Sequence, residues 1–280
     1  MARFGFITAE FEEATFGALL DRIVAAGADA VQLDLASAVG ATFPATLSDD
    51  EAASVRQALA ERNLAAAGLT GCYNMIHPDL AVRAAGRADL ARLIPMARAL
   101  GIPVVSLCTC SRAADNMWRA HPDNDSPEAW RDLVAELEAL LPIAEAEGIA
   151  LGVETEIANT VNSPAKARRL LDEMRSPSLG IVMDGANVFA KGELARMHAV
   201  LDETFALLGG DIVLAHAKDL DRDGAAGELP AGRGRLDYDH YLRLLVGSGF
   251  DGAIILHSLK PAEARDRLAF VRGKWPAPRS

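Results

Sequence analysis

The sequence predicts an α/β chain folded as a single (β/α)8 TIM barrel. Three observations lead there. Short apolar runs alternate with amphipathic helical stretches eight times from one terminus to the other. Helix after helix closes on Gly or Asn just before the next apolar run. No low-complexity linker or shift in composition divides the 280 residues, so the expectation is one domain over 1–280. An open doubly wound sheet is the competing architecture, and the Gly-x-Gly-x-x-Gly turn of its dinucleotide-binding form does not follow the first strand.

The elements follow in order. Strands are expected near Phe4–Thr8, Ala30–Leu35, Ala65–Cys72, Pro103–Thr109, Ala150–Thr155, Gly180–Asp184, Ile212–Lys218 and Ala253–Leu259. Each is short, apolar and flanked by helical pattern, as a strand buried on both faces should be. The helical stretches include TFGALLDRIVAAG, DDEAASVRQALAERN, PEAWRDLVAELEALLPIAEAEG and YDHYLRLLVGSG. Gly27, Asn63, Gly101, Gly148 and Gly249 stand where a left-handed C-terminal cap belongs. Ser48 with Glu51 forms a capping-box pattern, and Ser126 before Pro127 reads as an N-cap followed by Pro in the first turn. LIPMARALGIP and LLPIAEAEGIA echo each other at a period of one strand–helix unit. The long segments after the early strands, ASAVGATFPATLSDD, NMIHPDLAVRAAG and CSRAADNMWRAHPDNDS, are expected to roof the barrel mouth, together with DLDRDGAAGELPAGRGRL after the seventh strand.

Half of the residues are hydrophobic, enough for a large core, and the formal net charge of -11 argues against a nucleic-acid footprint. The opening MARFGFITAEFEE meets acidic residues before any apolar stretch long enough for a signal peptide or membrane span, so a cytoplasmic, membrane-free protein is expected. Three cysteines, Cys72, Cys108 and Cys110, are too few for a disulfide framework. Cys108 and Cys110 are expected to share one face of a strand as buried thiols, with a metal or redox role as the alternative.

Four of the strands stop on a polar residue: Glu154 in ALGVETE, Asp184 in LGIVMDGAN, His216 in IVLAHAKD and His257 in AIILHSL. A carboxylate or imidazole there costs free energy unless it is paired, hydrogen-bonded or metal-bound. Four at one end of successive strands make one site, and two carboxylates with two imidazoles form a first shell for a divalent cation. Each residue also has a plainer reading: an ion pair for Glu154, a turn or N-cap for Asp184, a satisfied core imidazole for His216. His257 has three: ligand, general acid–base group, or structural residue. Glu156, two residues past Glu154, is a candidate proton-transfer group or a loop cap, and Lys218, on the face of His216, is a candidate either to pair with a carboxylate or to act in catalysis by polarising a carbonyl. Asn187 is a candidate for binding hydroxyls or supporting a ligand. Gly185 is expected to let the chain turn sharply after Asp184. His77, Trp118 and His121 lie in the two long loops, where Trp can cover a sugar face and His can bond hydroxyls; Trp118 and Trp130 can equally pin a loop.

VETE, VMDGAN, AHAKD and AGRGRLDYDHY, with TGCYNMIHPD and CTCSRAADNMWRAHPDNDS, make the chain resemble the xylose-isomerase-like barrels of the sugar phosphate isomerase/epimerase family over nearly its whole length. The resemblance implies one divalent cation (manganese, cobalt or magnesium, with zinc also compatible) held by Glu, Asp, His and Glu at the ends of strands five to eight. The first three match Glu154, Asp184 and His216. The fourth is a departure, because His257 stands where a glutamate is expected, and it removes one half of the family's two-glutamate proton-transfer pair. The resemblance also places Arg222 at a substrate-contact position and implies a homodimer or homotetramer; Arg233 and Arg235 read either as partners of Arg222 in holding a phosphate or carboxylate or as solvated arginines on a loop. The activity implied is isomerisation or epimerisation of a small carbohydrate. Two alternatives stand beside it: a lyase using the same proton abstraction, and a non-catalytic sugar-binding barrel. A several-zinc nuclease, as in a distant branch, would need more histidines at the early strand ends.

Overall fold

Alternation along the apolar runs, rather than their total hydrophobicity, builds the barrel. A computed structural model describes residues 2–276. Its eight barrel strands are β1 (Arg3–Ile7), β2 (Ala30–Leu33), β3 (Ala65–Thr70), β4 (Val104–Cys108), β5 (Ala150–Glu154), β6 (Leu179–Asp184), β7 (Ile212–Asp219) and β8 (Ala253–Leu256). All pair in parallel with their sequence neighbours, and β8 pairs with β1, so the sheet closes on itself. Eight helices surround it: α1 (Phe16–Ala25), α2 (Asp49–Ala60), α3 (Leu80–Leu100), α4 (Pro127–Glu147), α5 (Pro164–Met174), α6 (Met197–Leu208), α7 (Tyr238–Gly247) and α8 (Ala264–Lys274). Among the described residues no helix is long and apolar enough to cross a membrane.

Outward strand residues such as Val31, Leu33, Val105, Leu107, Leu151, Val153, Ile181 and Met183 join the large core between sheet and helices. Inward residues Ala30, Val104, Val182, Leu214, Ala253 and Ile255 form a second cluster inside the barrel, with Ile7, Ala65, Ala67, Ala150 and Val213 against it. The lower interior is therefore apolar and filled. Its width explains Gly152 and Gly180: a Cβ on the first would lie 2.8 Å from Val182 Cγ2, and on the second 2.5 Å from Val213 Cγ1.

The expected caps are in place. Gly27, Asn63, Gly101, Gly148 and Gly249 all have positive φ. Ser48 and Glu51 form the reciprocal capping box, and Ser126 accepts from the Ala129 N–H ahead of Pro127. α5 ends differently, on Arg175 in a left-handed conformation with no Gly to announce it. Strand ends shift by one to three residues. β3 and β8 stop earlier than expected, and β8 does so because Ser258 takes φ 58° just past His257. Cys108 and Cys110 do not share a strand face: β4 ends at Cys108, and Cys110 has φ 60°, outside the alternation. Both are buried free thiols, whereas Cys72 is only partly buried. The long loop after β2 holds a one-turn helix at Ala36–Val39, and the loop after β7 folds back as a two-residue antiparallel strand, Leu229–Pro230.

Candidate metal centre at the barrel mouth

The inward phase that gives the apolar lower layer delivers polar groups one step higher. In β5 it runs Ala150, Gly152, Glu154; in β6, Gly180, Val182, Asp184; in β7, Leu214, His216, Lys218; past β8 it reaches His257. One ligand atom each from Glu154, Asp184, His216 and His257 fall within 4.8 Å of one another. The four residues that the sequence singled out at strand ends are thus brought together.

Each carboxylate has one oxygen committed and one turned inward. Glu154 Oε1 accepts from Asn187 Nδ2 at 2.7 Å, and Oε2 lies 3.2 Å from His216 Nδ1. Asp184 Oδ1 accepts from the Ala186 N–H at 2.9 Å, and Oδ2 lies 3.4 Å from His257 Nε2 and 3.5 Å from Lys218 Nζ. The turn and ligand readings of Asp184 therefore coexist on different oxygens. Asn187 in turn accepts from the Gly227 N–H, so the loop after β7 holds the amide that holds Glu154.

His216 decides whether the cluster fits a cation. Its Nε2 lies 2.8 Å from Gln32 Oε1, while its buried Nδ1 has no hydrogen-bond partner although Glu154 Oε2 is 3.2 Å away. An imidazole that donates through Nε2 faces a carboxylate through a bare Nδ1 lone pair. Two lone pairs opposed at that distance in a buried setting are costly unless a positive charge lies between them. The donor set fits a divalent ion: two carboxylate oxygens and two imidazole nitrogens.

Charge in the site is unevenly shared. Burial alone would raise the Glu154 pKa, but His216 and His257 in their protonated forms, together with Lys218, outweigh it and hold the carboxyl well below the usual range. Burial would lower Lys218, but Asp184, Glu154 and Glu156 outweigh it and keep the ammonium charged. Burial dominates at His257 and favours the neutral imidazole, whose lone pair is what a cation needs. Glu156 is raised, mainly by burial. It accepts from the Ala158 N–H at 3.0 Å and Asn159 Nδ2 at 3.3 Å, so it caps a turn within Coulombic reach of Lys218.

Several supporting residues were not anticipated. Gln32 was hidden in AVQL, where a single polar residue in a buried run was the available signal. Tyr241 Oη reaches the Met183 and His216 carbonyls at 2.9 and 3.0 Å, tying β6 to β7 beside their ligands. This also corrects the role of Gly185. It has no positive φ, and its need is for space, since a Cβ would lie 2.9 Å from the Tyr241 ring. Asp219 organises the loop after β7 by accepting from the Leu220, Gly232 and Leu236 N–H groups.

The loop candidates sit differently. His77 Nε2 bonds the Ala114 carbonyl at 3.1 Å and its Nδ1 accepts from the Asp79 N–H at 3.0 Å. His121 Nδ1 accepts from the Asp123 N–H at 3.2 Å. Trp118 is exposed, as are Arg222 and Arg233, the latter 3.6 Å from Glu263, and Arg235. Trp130 pins a helix, donating from Nε1 to Glu173 under Arg169. Among the described residues no hydrogen bond joins His77, Trp118, His121 or Arg222 to the four-residue cluster.

Comparison with known proteins places the chain. Residues 20–274 match the model of the xylose isomerase-like TIM barrel family. The protein belongs to that family. It is 25% identical over 231 residues to a ketose 3-epimerase of Arthrobacter globiformis, covering 79% of this chain and 73% of the relative. Among solved structures, a protein named IOLI with a bound zinc atom superposes with a TM-score of 0.75 at 17% identity, covering 99% of this chain and 100% of its own. D-psicose 3-epimerase from Clostridium cellulolyticum H10, solved with D-tagatose, gives 0.73 at 16% identity over 98% of this chain and 100% of its own. The 3-keto-D-glucoside 4-epimerase of E. coli gives 0.72 at 18% identity, over 98% and 100%. At these identities the structural matches speak for the fold.

Proposed function

We propose that this barrel is a divalent-cation-dependent epimerase or isomerase of a small ketose-like sugar, acting by proton transfer at the carbon next to a carbonyl. The observation that carries the reading is the buried Nδ1 of His216, without a hydrogen-bond partner and 3.2 Å from Glu154 Oε2, inside a four-ligand cluster. The ketose 3-epimerase relative supports the reaction class.

Glu154, Asp184, His216 and His257 would hold the cation. When bound, it supplies positive charge against the oxygen on which negative charge develops as the neighbouring carbon loses its proton. Asn187 fixes the Glu154 carboxylate, and Tyr241 fixes the strands that carry Asp184 and His216. Lys218 Nζ, 3.8 Å from Glu154 Oε1 and 3.5 Å from Asp184 Oδ2, offsets part of the negative charge gathered there. Glu156 is a carboxyl outside the four, within Coulombic reach of Lys218, Glu154 and Asp184, and has the raised affinity for a proton that a group carrying one to and from carbon needs. His257 is the second candidate for that proton.

The test pairs binding with turnover. Chelator-stripped protein is titrated with Mn2+ by electron paramagnetic resonance, then the loaded protein is incubated with ketohexoses in D2O. One ion per chain and deuterium at the epimerised carbon, with no other change of mass, are the expected results. Absence of Mn2+ uptake would overturn the reading. His257 in place of the family's glutamate favours one second reading, a lyase that shares the proton abstraction but expels a group beta to the carbonyl. Loss of water or of an aglycone from the substrate mass distinguishes it.

A further inference from the structure

We propose that Gln32 positions His216 for the cation, holding its imidazole as the Nε2–H tautomer with the Nδ1 lone pair turned into the cluster. The inference deepens the cation reading above and rests on it.

Packing does not explain the buried amide of Gln32. Gln32 is 2% exposed and points into a barrel whose adjacent inner layer is Ala30, Val104 and Leu214. An apolar side chain would fill that space at lower cost, because a buried primary amide must satisfy two donors and an acceptor. Space is nonetheless kept for it. A Cβ on Gly68, in the neighbouring strand, would come within 3.5 Å of Gln32 Cγ and 3.0 Å of Leu214 Cδ2.

The surroundings fix which way the amide faces. The Ser106 hydroxyl lies 3.5 Å from the Leu69 carbonyl, which can only accept, so Ser106 Oγ offers a lone pair to Gln32 Nε2 at 2.9 Å. Thr70 Oγ1 takes the other amide hydrogen at 3.2 Å. Oε1 is then left facing His216 Nε2 at 2.8 Å. A carbonyl oxygen accepts and cannot donate, so Nε2 carries the proton. A neutral imidazole has one such proton, and Nδ1 is left bare, 3.2 Å from Glu154 Oε2. The chain Ser106 and Thr70 to Gln32 to His216 crosses the barrel from β3 and β4 through β2 to β7. Outer partners of this kind set the tautomer and orientation of metal-binding imidazoles.

The experiment reads the tautomer directly. Long-range 1H–15N correlation spectra are recorded on ion-free, 15N-histidine-labelled protein, with His216 assigned by the signals lost in His216→Asn. In the native protein His216 should be protonated at Nε2. Gln32→Leu should lose that preference and weaken the Kd for Mn2+ by about 10- to 100-fold. Gln32→Glu retains an acceptor at the same place and should restore both, which a merely space-filling role would not produce. A native His216 protonated at Nδ1 overturns the proposal. So does a Gln32→Leu protein with unchanged tautomer and Kd. Should Gln32→Leu fail to fold, the native spectrum and Gln32→Glu still decide. If native protein takes up no Mn2+, the cation reading fails, while the tautomer in ion-free protein settles the role of Gln32 separately.

Discussion

The two halves of the barrel mouth carry different chemistry. The strands from β5 to β8 end in charge: Glu154, Asp184, His216 with Lys218, and His257 just beyond. Those from β2 to β4 carry Gln32, Thr70, Ser106 and Cys108, and the one acid just beyond them, Asp34, has its Oδ1 taken by the Ala36 N–H and the Thr42 hydroxyl. The charged half brings its groups within ion-pair distance of one another, and the neutral half touches two of them, through Gln32 to His216 and through the Cys108 thiol to Glu154 Oε2 at 4.0 Å. The difference teaches that ligand identity and ligand geometry are encoded on opposite sides of one sheet. Charges packed this closely attract and repel several partners at once. Uncharged hydrogen-bonding groups fix direction without adding to that field.

The largest test of this division is substitution within each half. Glu154→Gln keeps the volume and removes the charge opposed to His216. It should weaken Mn2+ binding by about 100-fold or more, beyond the range of outer-partner changes, and abolish turnover. Ser106→Ala, in the neutral half, should weaken Mn2+ binding by only about tenfold, because Thr70 still holds one amide hydrogen of Gln32. Equal losses in the two variants, read by Mn2+ titration, would erase the distinction.

A second contrast lies in how the loops are held. The long loops after β3 and β4 are clasped by Asp132 of α4, which accepts from both Arg83 and Arg112. Arg112 continues to the Ile76 carbonyl at 2.8 Å. Asp132→Ala leaves two largely buried guanidinium groups without their carboxylate and should cost about 3 kcal/mol of stability. The same variant should bind Mn2+ as the native protein does, since the clasp lies apart from the cluster. Urea denaturation and Mn2+ titration of one preparation give both numbers.

How much of this was legible in the sequence follows the same division. Glu154, Asp184, His216 and His257 announced themselves because an ionisable residue ending an apolar run is a local anomaly visible in one strand at a time. The helix caps were legible for the same reason, since Ser48, Gly101 or Gly148 acts on its own turn. Gln32 was not, because its partners lie 38, 74 and 184 residues away, and only barrel closure makes them neighbours. Gly185 was noticed for the wrong property. A glycine suggests backbone freedom, and the Tyr241 ring that needs the space arrives from α7. His77 and His121 looked like ligand-binding groups because imidazole is versatile, and each has a ring nitrogen accepting a loop N–H two residues on.

Acidification of the ion-free protein sharpens the comparison further, because the titrating groups lie in the charged half. The folded-state pKa of Glu154 is depressed by His216 and His257, which are protonated in the acid range, and by Lys218, against the opposing effect of burial. Its contribution to stability is therefore present above the unfolded value of about 4.3 and is lost as pH falls through the folded value. His257 is depressed by burial, so the unfolded chain takes up its proton first and stability begins to fall below about pH 6.5. Urea midpoints should therefore decline from about pH 7 to about pH 4, with a smaller decline below about pH 5 in Glu154→Gln. Saturating Mn2+ should flatten the upper part of the curve, because it holds His257 deprotonated.

The smallest expected change in stability belongs to Glu156, and it decides a chemical role. Its folded pKa is raised, mainly by burial, which is the opposite sign from Glu154. Such a group favours the folded state below its unfolded value, and that contribution is lost as pH rises through the folded value. Glu156→Gln removes the ionisation and keeps an oxygen for the Ala158 N–H, so stability near neutral pH should rise by about 0.5 kcal/mol. Mn2+ affinity should stay near that of the native protein, because Glu156 lies outside the four-residue cluster. Turnover should nonetheless fall by about 100-fold or more if this carboxyl moves the proton. Retained turnover in Glu156→Gln, with loss in a His257→Gln protein that still binds Mn2+, would transfer the proton-carrying role to the imidazole. The charged half would then provide both the ligands and the base from strand ends alone.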